Sequence, residues 1–167
     1  LGIRRFEDLI GRSDLLVQRD DIDNWKAKGV DLSRILHRPS AEPCAIRHTL
    51  AQDHQLEKNL DHALLPRFAC AIEGGETVSI TTAVKNTHRS VGTMISHEIV
   101  KRHGAAGLPD ASIRIALHGT AGQSFGAFSA KGLTLDLSGD ANDYVGKGLS
   151  GGRIIVRAPA DFHGRPS

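Results

Sequence analysis

Gly146-Lys147-Gly148-Leu149-Ser150-Gly151 has the spacing of a glycine-rich phosphate cradle. In such a cradle, backbone N–H groups at a helix N-terminus hold a dinucleotide pyrophosphate. That chemistry needs a strand before the glycines and a helix after them. The residues that follow, Arg153-Ile154-Ile155-Val156, read as a strand instead. The stretch also fails as a nucleoside-triphosphate loop, because Gly148 stands where a magnesium-binding hydroxyl is required. Gly122-Gln123-Ser124-Phe125-Gly126 has the spacing of a nucleophile elbow, and Asp136 or Asp140 and His163 follow in hydrolase order. An elbow is a strand–turn–helix, and the residues after Ser124 carry no helical period. His97-Glu98 with His103 invites a zinc reading, but the second histidine comes six residues on, not four, so the two lie on different helix faces. His48, Asp53 and His54 form a polar cluster with no cysteine or carboxylate partner at ligand spacing. Cys70 lies between Phe68 and Ile72, which predicts a small core residue, not a nucleophile. These residues predict a scaffold without an assembled chemical site: no catalytic, cofactor-binding or metal-binding residue is assigned.

Composition narrows the class further. With 167 residues, 40% hydrophobic and 24% charged, the chain has a globular balance. A formal charge of +2 and 4% aromatic residues argue against nucleic acid as a partner. No run of about eighteen apolar residues is present, so no membrane partner is expected. Two cysteines, Cys44 and Cys70, build no disulfide framework, and a reducing cytoplasm is the expected location.

Helix signals fill the first half. Ser13-Asp14 and Asp20-Asp21 are N-cap types, and Gly29 closes a short helix expected around residues 21–28. Asp31–Leu36 reads as one more turn, and residues 37–50 as an extended connector. Leu56, Leu60 and Leu64 recur every four residues and predict one buried helical stripe. Pro66 starts a further helix that Phe68 and Ile72 continue and Gly74-Gly75 end. Residues 1–75 are therefore expected to be a helical arm or linker without a core of its own. In the second half Val78, Ile80 and Val84 alternate as in a half-buried strand. A helix is expected over residues 96–103, with Ser96 as its cap and Gly104 as its stop.

A repeat of twenty residues follows. Ile113, Ile115 and Leu117 return as Leu133, Leu135 and Leu137. Gly119 returns as Gly139, Gly126 as Gly146, and Gly132 as Gly152, while Gly122 returns as Asn142, a residue that tolerates a left-handed backbone. A weaker earlier unit ends at Val91-Gly92-Thr93-Met94, matching Phe125–Phe128. A further unit begins at Arg153, with Ile155 expected to continue the row of Leu135. Repeats of this length predict a solenoid, a mainly β single-stranded parallel β-helix over residues 76–167. A β-sandwich with coincidental glycines is the alternative. Gly126 and Gly146 are expected at equivalent corners of successive coils. The apolar edge near Arg153–Val156 is expected to be covered by another copy of the chain, by downstream sequence, or by a partner domain.

The chain resembles the C-terminal GXGXG domain of the large (alpha) subunit of glutamate synthases. The phrases carrying the likeness are Gly11-Arg12-Ser13-Asp14-Leu15-Leu16, Asp31-Leu32-Ser33-Arg34-Ile35-Leu36, Gln52-Asp53-His54, residues 89–96 and, most specifically, Gly119–Gly126 with Gly139–Gly152. The resemblance implies a right-handed β-helix that organises other domains and contributes no catalytic residue. It implies an oxidoreductase that converts glutamine and 2-oxoglutarate into two glutamates. Electrons would come from NADPH, NADH or ferredoxin. FMN and an iron–sulfur cluster are implied in other domains, and none in this chain. The implied partners are the amidotransferase and FMN-binding synthase domains of the same subunit, with a small electron-donating subunit as a further candidate. A solenoid that continues beyond residue 167 in the family makes a C-terminally truncated domain the expectation. A free-standing assembly subunit, of the N-methylglutamate synthase-like or formylmethanofuran dehydrogenase-like kind, is the alternative.

Overall fold

The computed structural model describes residues 2–40, 42, 45, 48–159 and 162. Cys44 and His163 therefore lie outside the described residues. The chain divides into two compact units, Leu1–Asp53 and His54–Ser167.

In the first unit the helices are single turns. α1 spans Trp25–Lys28 and α2 spans Ser33–Leu36. Asn24 starts α1, because its backbone is extended and its side-chain oxygen accepts the Lys26 N–H at 2.9 Å. Asp21 does not cap it as expected; its carboxylate pairs with Arg19 at 2.6 Å instead. Ser13 is likewise inside a 3-10 turn, Ser13–Leu15, not ahead of a helix. Asp31 accepts the Ser33 N–H at 2.9 Å and opens α2. None of the described residues in this unit is buried.

The second unit holds the core. Asn59 caps α3, Leu60–Leu64, by accepting the Asp61 N–H at 2.9 Å. The cap excludes Leu56 from the helix, so the predicted stripe is shorter than the leucine spacing implies, and Leu56 is 56% exposed. Pro66 sits in the first turn of the 3-10 segment Leu65–Phe68, where its missing N–H costs nothing, and α4, Ala69–Ile72, follows. Leu64, Phe68, Ala71 and Ile72 face inward. Cys70 lies on the opposite side of that turn and is exposed, contrary to the expected core position.

β1 (Val78–Val84), β2 (Ile113–Ala121), β3 (Leu133–Ala141) and β4 (Arg153–Arg157) form one parallel sheet in chain order. With helices packed against it, the arrangement is mixed α/β. Ile113 pairs with Leu133, Ile115 with Leu135 and Leu117 with Leu137, so the twenty-residue return is a ladder register. The next interval is one residue shorter. Leu135 is opposite Ile154, and Ile155 is opposite Asp136, so Ile154 and not Ile155 continues the aliphatic row. Ile80, Val84 and the β2 and β3 aliphatics join Val91, Ile95, Ile99, Phe125 and Phe68 in one cluster. Each such fully buried aliphatic contributes about 1.5–3 kcal/mol against an exposed reference.

α5, Thr93–His103, fills the excursion between β1 and β2. Gly104 ends it as expected, but Ser96 does not cap it. The helix starts earlier because another part of the chain satisfies its first N–H groups: the Asp61 carboxylate on α3 accepts from Gly92 and Met94, each at 2.9 Å. Ser96 is buried inside the helix, and its hydroxyl accepts the Ala130 N–H at 3.1 Å.

Candidate functional site

The turns stack as closely as the strands. The Gly126 N–H donates to the Val91 carbonyl at 2.8 Å, and the Gly146 N–H to the Phe125 carbonyl at 2.9 Å. Gly92, Gly126 and Gly146 have φ of 95°, 67° and 65°, and two residues before each lies another left-handed residue: Ser90 (54°), Ser124 (65°) and Tyr144 (63°). Neither Gly122 nor Asn142 adopts the left-handed conformation expected there. Gly122 is a matter of space, since a Cβ would meet the Asn86 and His88 carbonyl oxygens. Asn142 instead accepts the Asp143 N–H on its side chain at 2.7 Å. Gly119 and Gly139 are register partners at the ends of β2 and β3. Gly132 lies against Leu108, and Gly152 against Ser129 and Ala130.

This geometry decides the apparent motifs. In the 146–151 stretch, the N–H groups of Gly146 and Ser150 go to the Phe125 and Ser129 carbonyls of the preceding turn, and β4 follows in place of a helix. No phosphate cradle is formed there. Ser124 has the left-handed backbone found in a nucleophile elbow, but Tyr144 has it one turn later, so the conformation belongs to the stacked turn. Asp136, a candidate triad acid, is held by two arginines. His97 Nε2 lies 4.0 Å from Glu98, which also pairs with Arg102 and Lys101, but His103 Nε2 turns away to the Ile72 carbonyl oxygen at 2.6 Å, so the three do not form one ligand set. His48 and Asp53 belong to the first unit and His54 to the second. Among the described residues no group of three or more His, Cys, Asp or Glu is placed to hold a metal ion. An iron–sulfur cluster, which needs several thiolates, does not fit these residues.

Two buried carboxylates hold the fold together; Asp61 has no signal in the sequence, and Asp136 carries there only the spacing of a triad acid. Asp61 is fully buried and joins α3 to the start of α5. Burial raises its carboxyl pKa, against the pull of the Gly92, Met94 and Ile95 N–H groups. Asp136 lies on β3 between two neighbouring strands. Arg114 on β2 reaches one oxygen at 2.6 Å, and Arg157 on β4 reaches the other through Nε at 3.1 Å and a second, shorter bond. These bonds, Arg157's foremost, hold its carboxyl below the usual range. The strand-tying role of Asp136 has one legible hint, an acidic residue inside the Leu133–Leu137 alternation.

The two groups give opposite pH trends. The depressed Asp136 contributes stability that is fully present above about pH 4 and is lost as pH falls through its folded value. The raised Asp61 has the reverse sign, losing stability as pH rises through its folded value. We expect Asp136→Asn to lower the melting midpoint at pH 7 and to leave it unchanged at the acid end. Parallel melting curves at each pH check this; a constant difference would contradict it.

Glycine-cornered turns bonded one to the next, with buried carboxylates joining strands and helices, define a repeat domain. The chain belongs to the GXGXG-motif family, whose model matches residues 61–166. It is 44% identical over 165 residues to the glutamate synthase [NADPH] large chain of Bacillus subtilis (strain 168), an alignment covering 98% of this chain and 11% of that protein. It is 42% identical over 166 residues to the glutamate synthase [NADH] of Saccharomyces cerevisiae, covering 96% of this chain and 8% of the relative. Against ferredoxin-dependent glutamate synthase 2 of Synechocystis it is 39% identical over 158 residues, with 93% and 10% covered. The chain thus spans about a tenth of the length of the curated relatives it matches. Among its described residues no helix is long and apolar enough to cross a membrane.

Proposed function

We propose that this chain is the GXGXG domain of a glutamate synthase, a scaffold for the domains that make two glutamates from glutamine and 2-oxoglutarate. The observation that carries this reading is the collinear identity along nearly the whole chain to one short segment of much longer glutamate synthases. Those relatives are named for NADPH, NADH and ferredoxin, yet the segment is 44%, 42% and 39% identical to them. The segment therefore does not set the electron donor, which suits a scaffold. FMN and the iron–sulfur cluster belong to other domains in this reading, and the location is cytoplasmic.

The finer architecture is a right-handed β-helix over residues 76–167, preceded in sequence by an arm of residues 1–53 and by α3 and α4, which supply Leu64, Phe68, Ala71 and Ile72 to the core of the second unit. Support comes from the sequential parallel strand order and from turn-to-turn bonds at Gly126, Gly146 and Ser150. Parallel crossover connections are right-handed in nearly all proteins. Every residue paired in the sheet follows Gly75. Support for docking of the arm onto the amidotransferase or FMN-binding domain comes from its surface. Trp25 and Ile35 are both 79% exposed, Val17 is 87% and Phe6 is 78%. Large apolar side chains left exposed are what an interaction surface presents.

The 167-residue chain by itself is expected to show neither glutaminase nor glutamate synthase activity and to retain no flavin. Purification followed by an absorbance spectrum and a glutamine-dependent assay tests this. A yellow, flavin-retaining sample would refute the scaffold reading.

A further inference from the structure

A cleft of about 230 Å³ lies where the segment before α3 meets the turn after β1. His54, Lys58, His88 and Arg89 line it together with Thr87 and Asn59, and none of the described lining residues is acidic. The two sides are tied by a long bond, 3.5 Å, from the Asn59 amide to the Arg89 carbonyl.

Several cations among the described residues have a carboxylate: Arg12 has Asp14, Arg19 has Asp21, Lys28 has Asp23, Arg102 has Glu98, and Arg114 and Arg157 share Asp136. Lys58 and Arg89 differ. Lys58 donates to the Gln55 side-chain oxygen at 2.8 Å, and Arg89 donates to that of Gln123. Each cation is thus positioned by a neutral amide, and each keeps further N–H donors, since an ammonium has three and a guanidinium five. His88 Nδ1 accepts the Lys85 N–H at 3.2 Å, which leaves the ring proton on Nε2 as one more donor. Two cations and several donors without a counter-charge in the lining are the chemistry of an oxyanion site.

We propose that this cleft binds a small oxyanion carrying two or more negative charges, a phosphate or a dicarboxylate. The donors come from segments about thirty residues apart, so the site exists only in the folded unit. It is separate from the turn at 146–151, whose N–H groups serve the fold.

The test is an NMR titration of the 167-residue chain with inorganic phosphate, against chloride at matched ionic strength. Saturable shifts of the His54 and His88 ring signals are expected with phosphate and not with chloride. Lys58→Gln and Arg89→Gln should each weaken binding about tenfold, as loss of one charge-assisted contact implies. A parallel titration with succinate separates the two chemistries: the tighter of the two ligands identifies the class. Melting midpoints are recorded for both variants. Lys58 bonds only within its own turn, so Lys58→Gln decides the matter if Arg89→Gln unfolds. Shifts that fail to saturate, that chloride reproduces, or that Lys58→Gln leaves equally tight would overturn the proposal.

Discussion

Gly139→Val is expected to abolish cooperative folding of this chain, at a cost of at least about 3–5 kcal/mol. Gly139 has φ of 146°, and a Cβ there would lie well inside 3.0 Å of the Gly119 carbonyl oxygen. That oxygen belongs to the neighbouring strand and cannot rotate away as a flexible side chain can. Gly119 repeats the arrangement against the Val84 carbonyl, so the two glycines form a column at the ends of β1, β2 and β3. A branched side chain would have to force the strands apart at the spacing their ladder sets. Gly146→Ala is the contrasting control. Its Cβ would come closest to the far end of Ile154, at 3.3 Å, with Leu149 Cβ at 4.0 Å, so the main cost is the left-handed backbone, about 1 kcal/mol. Denaturant melts of the two variants check the ranking; equal midpoints would contradict it.

The second large effect is expected at Asp61. Asp61→Ala should destabilise the chain by about 2–4 kcal/mol, because the Gly92 and Met94 N–H groups lose their acceptor in a buried place. It also removes negative charge from the N-terminus of α5. Asp61→Asn keeps one acceptor oxygen and should cost less, about 1–2 kcal/mol. Hydrogen exchange gives a local signature: the amides of Gly92 and Met94 should lose protection in Asp61→Ala before those of β2 and β3 do. Uniform loss across the unit would show instead that α5 and the sheet open together.

Much of the architecture was legible because it rests on local rules. The period-two aliphatics of β1, β2 and β3, and the return of the β2 set in β3 after twenty residues, need no knowledge of neighbours, since stacking like units aligns like residues. Pro66, Gly104 and Asp31 act through their own backbone geometry or the N–H two residues away, so their roles could be read directly. That no helix follows the 146–151 or the 122–126 stretch was also legible, since the residues after each carry no helical period.

Only the tertiary structure decided the rest, and each case involves a partner distant in sequence. Ser96 looked like a cap because nothing local shows that Asp61, over thirty residues earlier, already accepts the first N–H groups of α5. Ile154 displaced Ile155 from the aliphatic row because one residue fewer separates β3 from β4, and in a strand a one-residue change turns every side chain to the other face. Cys70 is exposed because Phe68, Ala71 and Ile72 occupy the inner side of their turns. Gly122 is set by two carbonyl oxygens of the preceding turn and not by its own φ. Asp136 found Arg114 and Arg157, and Lys58 and Arg89 came to line one cleft, through the way the turns stack. Periodicity within the chain determines which residues face inward, whereas pairing between side chains depends on distances that only the folded stack creates.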